Sequence, residues 1–290
     1  MLLETTSSTN GDDVSDVKLR TPSSASPVIS AGSNPLGPLG REFLADVGCA
    51  EALADVFGFQ SDRFRIIPID LAKLLSAGTA ASLANSTAIV MGPVLTSGLG
   101  AAEAIEQLRA LIPHVGLYVI ARETADVAQM LTRLATAGVD EVFCLESKAD
   151  ADALESTLRL RLSAPAPETE IRLLWKWFRE SSERSLVMHC VRNGYRLDVW
   201  SIRSKVFSAC RKTLQNRMAL LALPSPGILS RYGRVLHAQE LERRGVRPTA
   251  AIAAVLGFPS AGAMQRSRRR LRKALMSRGR QALVFASLLK

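Results

Sequence analysis

The chain has 290 residues, 47% of them hydrophobic, and a formal net charge of +10. At roughly 100 to 200 residues per domain this length allows two compact domains with tails. No uncharged apolar run reaches the roughly 18 residues of a membrane span, and the first residues lack the basic start and apolar core of a secretory signal, so the sequence reads as a soluble, cytoplasmic chain without a membrane partner.

The four cysteines, Cys49, Cys144, Cys190 and Cys210, are separated by 95, 46 and 20 residues, and the three histidines, His114, His189 and His237, are equally dispersed. Neither a zinc site nor a disulfide framework fits this spacing; no metal, cofactor or catalytic residue is expected. The charge is unevenly placed. Residues 1–170 hold 12 basic and 22 acidic side chains, a balance of −10, whereas residues 171–290 hold 25 and 5, a balance of +20. Lys and Arg gain free energy by displacing counterions condensed on phosphate, so this asymmetry points to a polyanion as partner of the second half.

In chain order, residues 1–38 are rich in Ser, Thr, Pro, Gly and Asp, with few large apolar groups to offset the entropy of ordering; they read as a disordered tail. Residues 39–163 alternate short apolar runs with helical periodicity. Strands are predicted at 42–47, 64–70, 87–92, 115–121 and 141–145, and helices at 49–57, 71–83, 101–111, 124–137 and 151–162. Five strands alternating with five helices imply a parallel sheet covered on both faces. The loop Gly98-Leu-Gly100-Ala-Ala-Glu103 follows a strand and opens a helix, as a dinucleotide fingerprint does, but it lacks the third glycine and follows the third strand; the alternative reading is a plain turn.

This order resembles the receiver domain of two-component response regulators. In that resemblance Ala88-Ile-Val-Met-Gly-Pro93 is the third strand, and Gly92 stands where the phosphate-accepting aspartate belongs. Ala121 replaces the hydroxyl residue at the end of the fourth strand, and Leu145 or Glu146 the lysine at the end of the fifth. Asp46 is a remnant of an acidic metal-binding pair, too little alone to hold magnesium well. The resemblance therefore implies a receiver-like domain that is not phosphorylated in the usual way and that serves dimerisation or partner sensing.

After a linker at 164–170, residues 171–290 read as helical throughout, beginning with helices at 171–178 and 186–191. Trp175 and Trp177 cannot both face one core; core packing is the expected role for either, and a place against the first domain or a partner is the alternative for one of them. Two segments then have the breaks of a helix-turn-helix. In the first, 197–207 supports, 208–210 turns and 211–218 recognises, with Leu214 and Met218 inward and Arg211, Lys212, Gln215, Asn216 and Arg217 toward DNA. In the second, 249–256 leads through Gly257, suited to a left-handed helix end, and Ser260, suited to a helix cap, into 261–273.

With the connecting Arg231-Tyr-Gly-Arg-Val-Leu-His-Ala238, the run Ile252-Ala-Ala-Val-Leu-Gly-Phe-Pro-Ser260 is similar to the AraC/XylS-type DNA-binding domain over about residues 184–275. The resemblance implies that each unit sets a helix in the major groove, the second through Ser260, Ala261, Gly262, Gln265 and Arg266, with Arg269 and Arg270 able to reach phosphate. Two departures stand out. Met264 and Arg268 occupy positions where that family has aromatic or apolar core residues, and the Gly-x-x-Pro ending is absent, so the second unit can grip phosphate more than it reads sequence. The cations of 268–273 read as spread round their helix, some on a solvated face.

The fold class expected is thus α/β plus all-α: a (βα)5 receiver-like parallel sheet followed by a helical domain with two helix-turn-helix units. The function expected is that of a bacterial-type transcription regulator whose partner is double-stranded DNA, with homodimerisation through the receiver-like domain. The alternative is a protein-interaction adaptor that binds nucleic acid without sequence preference.

Overall fold

The structure, a computed structural model, describes residues 42–57, 65–79, 83, 85–121, 124–178, 181–194, 216, 218–220, 222–276 and 280–289. The expected N-terminal tail and most of the first expected helix-turn-helix lie outside these residues.

The first half is a five-stranded sheet, all parallel, in the order β2-β1-β3-β4-β5. Its strands are β1 (Glu42–Asp46), β2 (Arg65–Ile69), β3 (Ala88–Met91), β4 (Gly116–Ala121) and β5 (Glu141–Cys144). This is a doubly wound order, and the strands' apolar content follows from it. In β3 and β4 every residue is buried, because alternate side chains enter two different cores. Val90, Tyr118 and Ile120 join Phe43, Leu53, Leu154 and Leu158 on one face, under helices α1 (Val47–Phe57) and α5 (Lys148–Ser163). Ile89, Met91, Leu117 and Val119 join Leu71, Ile105, Leu108 and Leu134 on the other, under α2 (Leu71–Ser76), α3 (Ala101–Leu111) and α4 (Thr124–Ala137). Helix α2 is capped by the Asp70 carboxylate, which accepts from the Lys73 N–H, and ends at Ser76, shorter than the expected 71–83.

At the carboxyl edge of this sheet, the segments that follow β1 and β3 are held by local hydrogen bonds. Asp46, at the end of β1, is buried and accepts from the Gly48 N–H at 3.2 Å and the Leu71 N–H at 3.3 Å. Its carboxylate therefore tethers the start of α2 to β1. In the Gly98 loop the N–H groups of Gly98, Leu99 and Ala101 donate to Leu95 O, Ser97 Oγ and Pro93 O. A phosphate loop needs such groups unengaged, so the turn reading holds there.

The helical half begins before residue 171. Residues Ala164 to Pro167, expected to form a linker, are buried, and α6 (Glu168–Trp177) follows directly. Next come α7 (Ser181–Arg192), α8 (Pro226–Arg243), α9 (Thr249–Val255), α10 (Ala261–Met276) and α11 (Arg280–Ser287). The main core gathers Ile171, Leu174, Val187, Val191, Met218, Leu229, Tyr232, Leu236, Leu275 and Phe285. Trp175 packs against it with the Arg184 guanidinium 4.6 Å above its ring, whereas Trp177 is 64% exposed. Helices α7 and α8 cross with backbones touching. A Cβ on Gly194 would sit 2.5 Å from the Ser230 carbonyl oxygen, and one on Gly233 would run into Val191 backbone atoms. Replacing Gly233 by Ala is expected to force the helices apart and cost about 1 to 3 kcal/mol, the usual scale of overpacking, read as a lower urea midpoint.

The helical half docks on the amino edge of the sheet, and one buried carboxylate organises the junction. Asp140, just before β5, receives Arg109 Nη2 of α3 at 2.8 Å, Arg192 Nε of α7 at 2.8 Å, Asn193 Nδ2 at 3.2 Å and the Leu117 N–H of β4 at 2.9 Å. Arg192 also donates to the carbonyls of Pro113 and Gly138, and Arg161 of α5 to that of Arg192. Burial opposes the charge on Asp140, but Arg192, Arg109 and Arg161 outweigh it and hold the carboxyl far below its ordinary range. Among the described residues no helix is long and apolar enough to cross a membrane.

Candidate nucleic-acid interface

Helix α10 is held by a short turn with strict local requirements. Helix α9 ends with Gly257 at φ +68°, a left-handed conformation that costs a glycine least. There the Phe258 N–H reaches back to Ala253 O at 2.8 Å and the Gly257 N–H to Ala254 O at 3.1 Å, the paired bonds of a Schellman end. Three residues on, Ser260 Oγ accepts from the Ala263 N–H at 3.1 Å and caps α10. Ile252, Ala253, Leu256 and Met264 close this turn onto Ala238, Leu241 and Ala164. Met264, unusual by the resemblance, is fully buried and fills a core position like any large apolar residue.

The buried residues of α10, Met264, Leu271 and Leu275, recur at intervals of seven and four and define its inner side. At 100° per residue the opposite side is the stripe Gly262, Arg266, Arg269, Lys273 and Met276, all exposed, with Arg270 and Arg272 exposed on its flanks. From Gly262 to Lys273 the stripe rises about 16 Å at 1.5 Å per residue. The helix has six cations and no carboxylate. One of the six is committed elsewhere: Arg268 Nη2 pairs with Glu242 Oε2 of α8 at 2.9 Å, both side chains largely covered. The other five form no ion pair among the described residues. Five cations thus fan over the broad exposed side of the helix, because the inner side is taken by apolar contacts.

The residues expected to read bases in this segment divide in the same way. Ser260, Gly262 and Arg266 are exposed, Ala261 and Gln265 partly so, and Arg269 and Arg270 extend the exposed face. Of the first expected unit, Asn216 is exposed in a helical turn and Met218 is buried in the main core, as its inward reading requires. Arg211, Lys212, Gln215 and Arg217 lie outside the described residues.

Sequence reasoning passed over two arginines of α8. Arg231 of α8 is exposed. Arg234, one turn on, is partly buried; its Nε donates to Gly194 O at 3.1 Å and its guanidinium lies 5.5 Å from the centre of the Phe258 ring. Arginines on a helix read as connecting carried no signal of this, because spacing within one helix says nothing of what a neighbouring turn brings to it.

Two of the cysteines, Cys49 and Cys190, are turned inward. The Cys49 thiol donates to Val90 O at 3.4 Å, and burial, with Asp46 nearby, pushes it up to about 12; burial alone does the same to Cys190. Both stay protonated, which leaves them poor nucleophiles and metal ligands. Among the described residues no group of three or more His, Cys, Asp or Glu side chains could hold a metal ion.

No protein-family model matches the chain, and no curated protein matches it in sequence.

Proposed function

We propose that the chain is a transcription regulator that binds double-stranded DNA sequence-specifically, with α9 and α10 as the supporting and reading helices of a helix-turn-helix. The observation that carries this is the exposed stripe of α10: five cations without carboxylate partners, on a capped helix fixed from behind by Met264, Leu271 and Leu275. A helix of this shape fits the major groove, where Gln265 and Arg266 near its amino end can meet base edges and Arg269, Arg270, Arg272 and Lys273 the phosphates. The α/β half acts as a receiver-like module for dimerisation or partner sensing. Its β2-β1-β3-β4-β5 order supports that reading, and Gly92 offers no carboxylate to phosphorylate.

The test replaces Arg266, Arg269 and Lys273 together by Ala and measures binding to a duplex selected by the wild-type chain from a random pool. Affinity is expected to fall about 10- to 100-fold, and the slope of log K against log salt to flatten by about 2 to 3, near 0.9 for each phosphate that is no longer neutralised. Unchanged affinity and slope in a folded triple variant would remove α10 from the interface. A second reading has one observation behind it: the exposed face of α10 is almost purely cationic, with Gln265 its single amide. A non-specific adaptor would show the same salt slope with no preferred sequence.

A further inference from the structure

We infer that Arg234 is a positioning residue for the nucleic-acid face, acting by joining the end of α7 to the turn that launches α10. The inference rests on the DNA-binding reading and goes beyond it by assigning control of that face to a side chain behind it. Arg234 projects from the middle of α8 and makes two contacts of different chemistry. Its Nε–H ends on the carbonyl of Gly194, two residues past α7. Its flat guanidinium faces the Phe258 ring, between the Schellman end of α9 and the Ser260 cap. Phe258 itself packs against both helical cores.

Neither contact resembles a surface cation in wait for phosphate. Burial, and then the adjacent Arg231, draw the Arg234 guanidinium below its ordinary pKa, and no carboxylate compensates it among the described residues. A buried arginine without a carboxylate is costly. What it gains here is a hydrogen bond to a helix-end carbonyl, whose partial negative charge favours a cation, and a cation–π contact. Lysine would keep the charge but not the planar stack. Gly194 leads directly out of Arg192 and Asn193, both fixed on Asp140. A continuous set of contacts thus runs from the amino edge of the sheet, through Gly194 and Arg234, to the turn before the reading helix.

The experiment compares full-length wild type, Arg234→Met, Arg234→Lys and Phe258→Leu on two duplexes: one selected from a random 20-base-pair pool by the wild type, and a scrambled duplex of equal length. Positioning predicts that Arg234→Met weakens the selected duplex about tenfold and the scrambled one little, so discrimination falls, while the salt slope stays at the wild-type value. Arg234→Lys and Phe258→Leu lose discrimination in the same sense, which keeps the test decisive if one variant folds poorly. A slope flattened by about 0.9 with discrimination intact would make Arg234 a direct phosphate contact and overturn the inference, as would unchanged binding. If the wild type binds neither duplex, the DNA-binding reading itself fails, an outcome distinct from both.

Discussion

Asp140→Asn is expected to lower stability by about 3 to 5 kcal/mol, the scale on which removing one partner of a buried ion pair acts. Asparagine matches the carboxylate in shape but keeps one acceptor oxygen, so its NH2 is left facing two of the four N–H donors that the carboxylate received. The charge decides the outcome. Arg109, Arg161 and Arg192 are each almost fully buried, and Asp140 is the carboxylate among them. Burial and the neighbouring Arg192 already draw Arg109 below its ordinary value, down to about 9, with Asp140 pulling the other way. Three buried cations without that anion repel one another across the junction of the two halves. For a folded unit of this size each kcal/mol moves Tm by about 2 to 4 °C, so the variant should melt roughly 10 °C lower. Because the same carboxylate holds α3, β4 and α7, wild type should unfold in one transition and the variant in two, with the helical half released first. An unchanged midpoint would show that the network contributes geometry and no net stability.

That hub marks the limit of what the sequence could tell. The strands β3 and β4 were readable because their apolar runs are continuous, and α3 and α4 emerge with the predicted bounds because Ala104, Ile105 and Leu108 keep a single face. A parallel sheet followed from the alternation of elements, whereas the place of β1 between β2 and β3 is a matter of pairing that periodicity does not encode. Asp140 and Arg192 stand 52 residues apart and look like any surface charges; only the fold brings them into one dry site. The segment at 164–167 looked like a linker by its alternating Ala and Pro, and its burial reflects what packs on it. In the candidate interface the turn residues Gly257 and Ser260 announced themselves, because few residue types suit a left-handed helix end or a cap. The single-faced stripe of α10 was also within reach: Met264, Leu271 and Leu275 fix the inner side, and Arg266, Arg269 and Lys273 fall opposite. The contacts of Arg234 were out of reach for the same reason as those of Asp140.

The second large effect concerns acid. His237, in the middle of α8, is fully buried with Nδ1 3.0 Å from Pro165 O and Nε2 3.0 Å from Arg192 O. A neutral imidazole has one N–H, so only one of these contacts is a hydrogen bond and the other sets a ring lone pair against a carbonyl. Protonation would satisfy both. Burial and the Arg161 cation oppose it more strongly and draw the group from 6.5 to about 3. Between pH 6.5 and 3 the unfolded chain therefore binds a proton at this site that the folded chain refuses, so stability is full above about 6.5 and falls on acidification. At 1.36 kcal/mol per unit the loss at pH 4 amounts to about 3 kcal/mol. The Asp140 carboxylate acts lower on the scale: its contribution is present above the ordinary Asp value and decays only beneath it, so the window from pH 6.5 to 4 lies above the range in which Asp140 acts. Urea midpoints across that window should fall steeply for wild type and much less for His237→Gln, whatever the variant's own stability at pH 7, since glutamine can give one N–H to the same carbonyls and has no proton to gain. Equal slopes for the two chains would place the acid sensitivity elsewhere. Because His237 lies between Pro165 and Arg192, its protonation acts on the same joint that Asp140 organises, and on the proposed DNA-binding reading the acid-weakened chain should lose duplex binding in the same pH range.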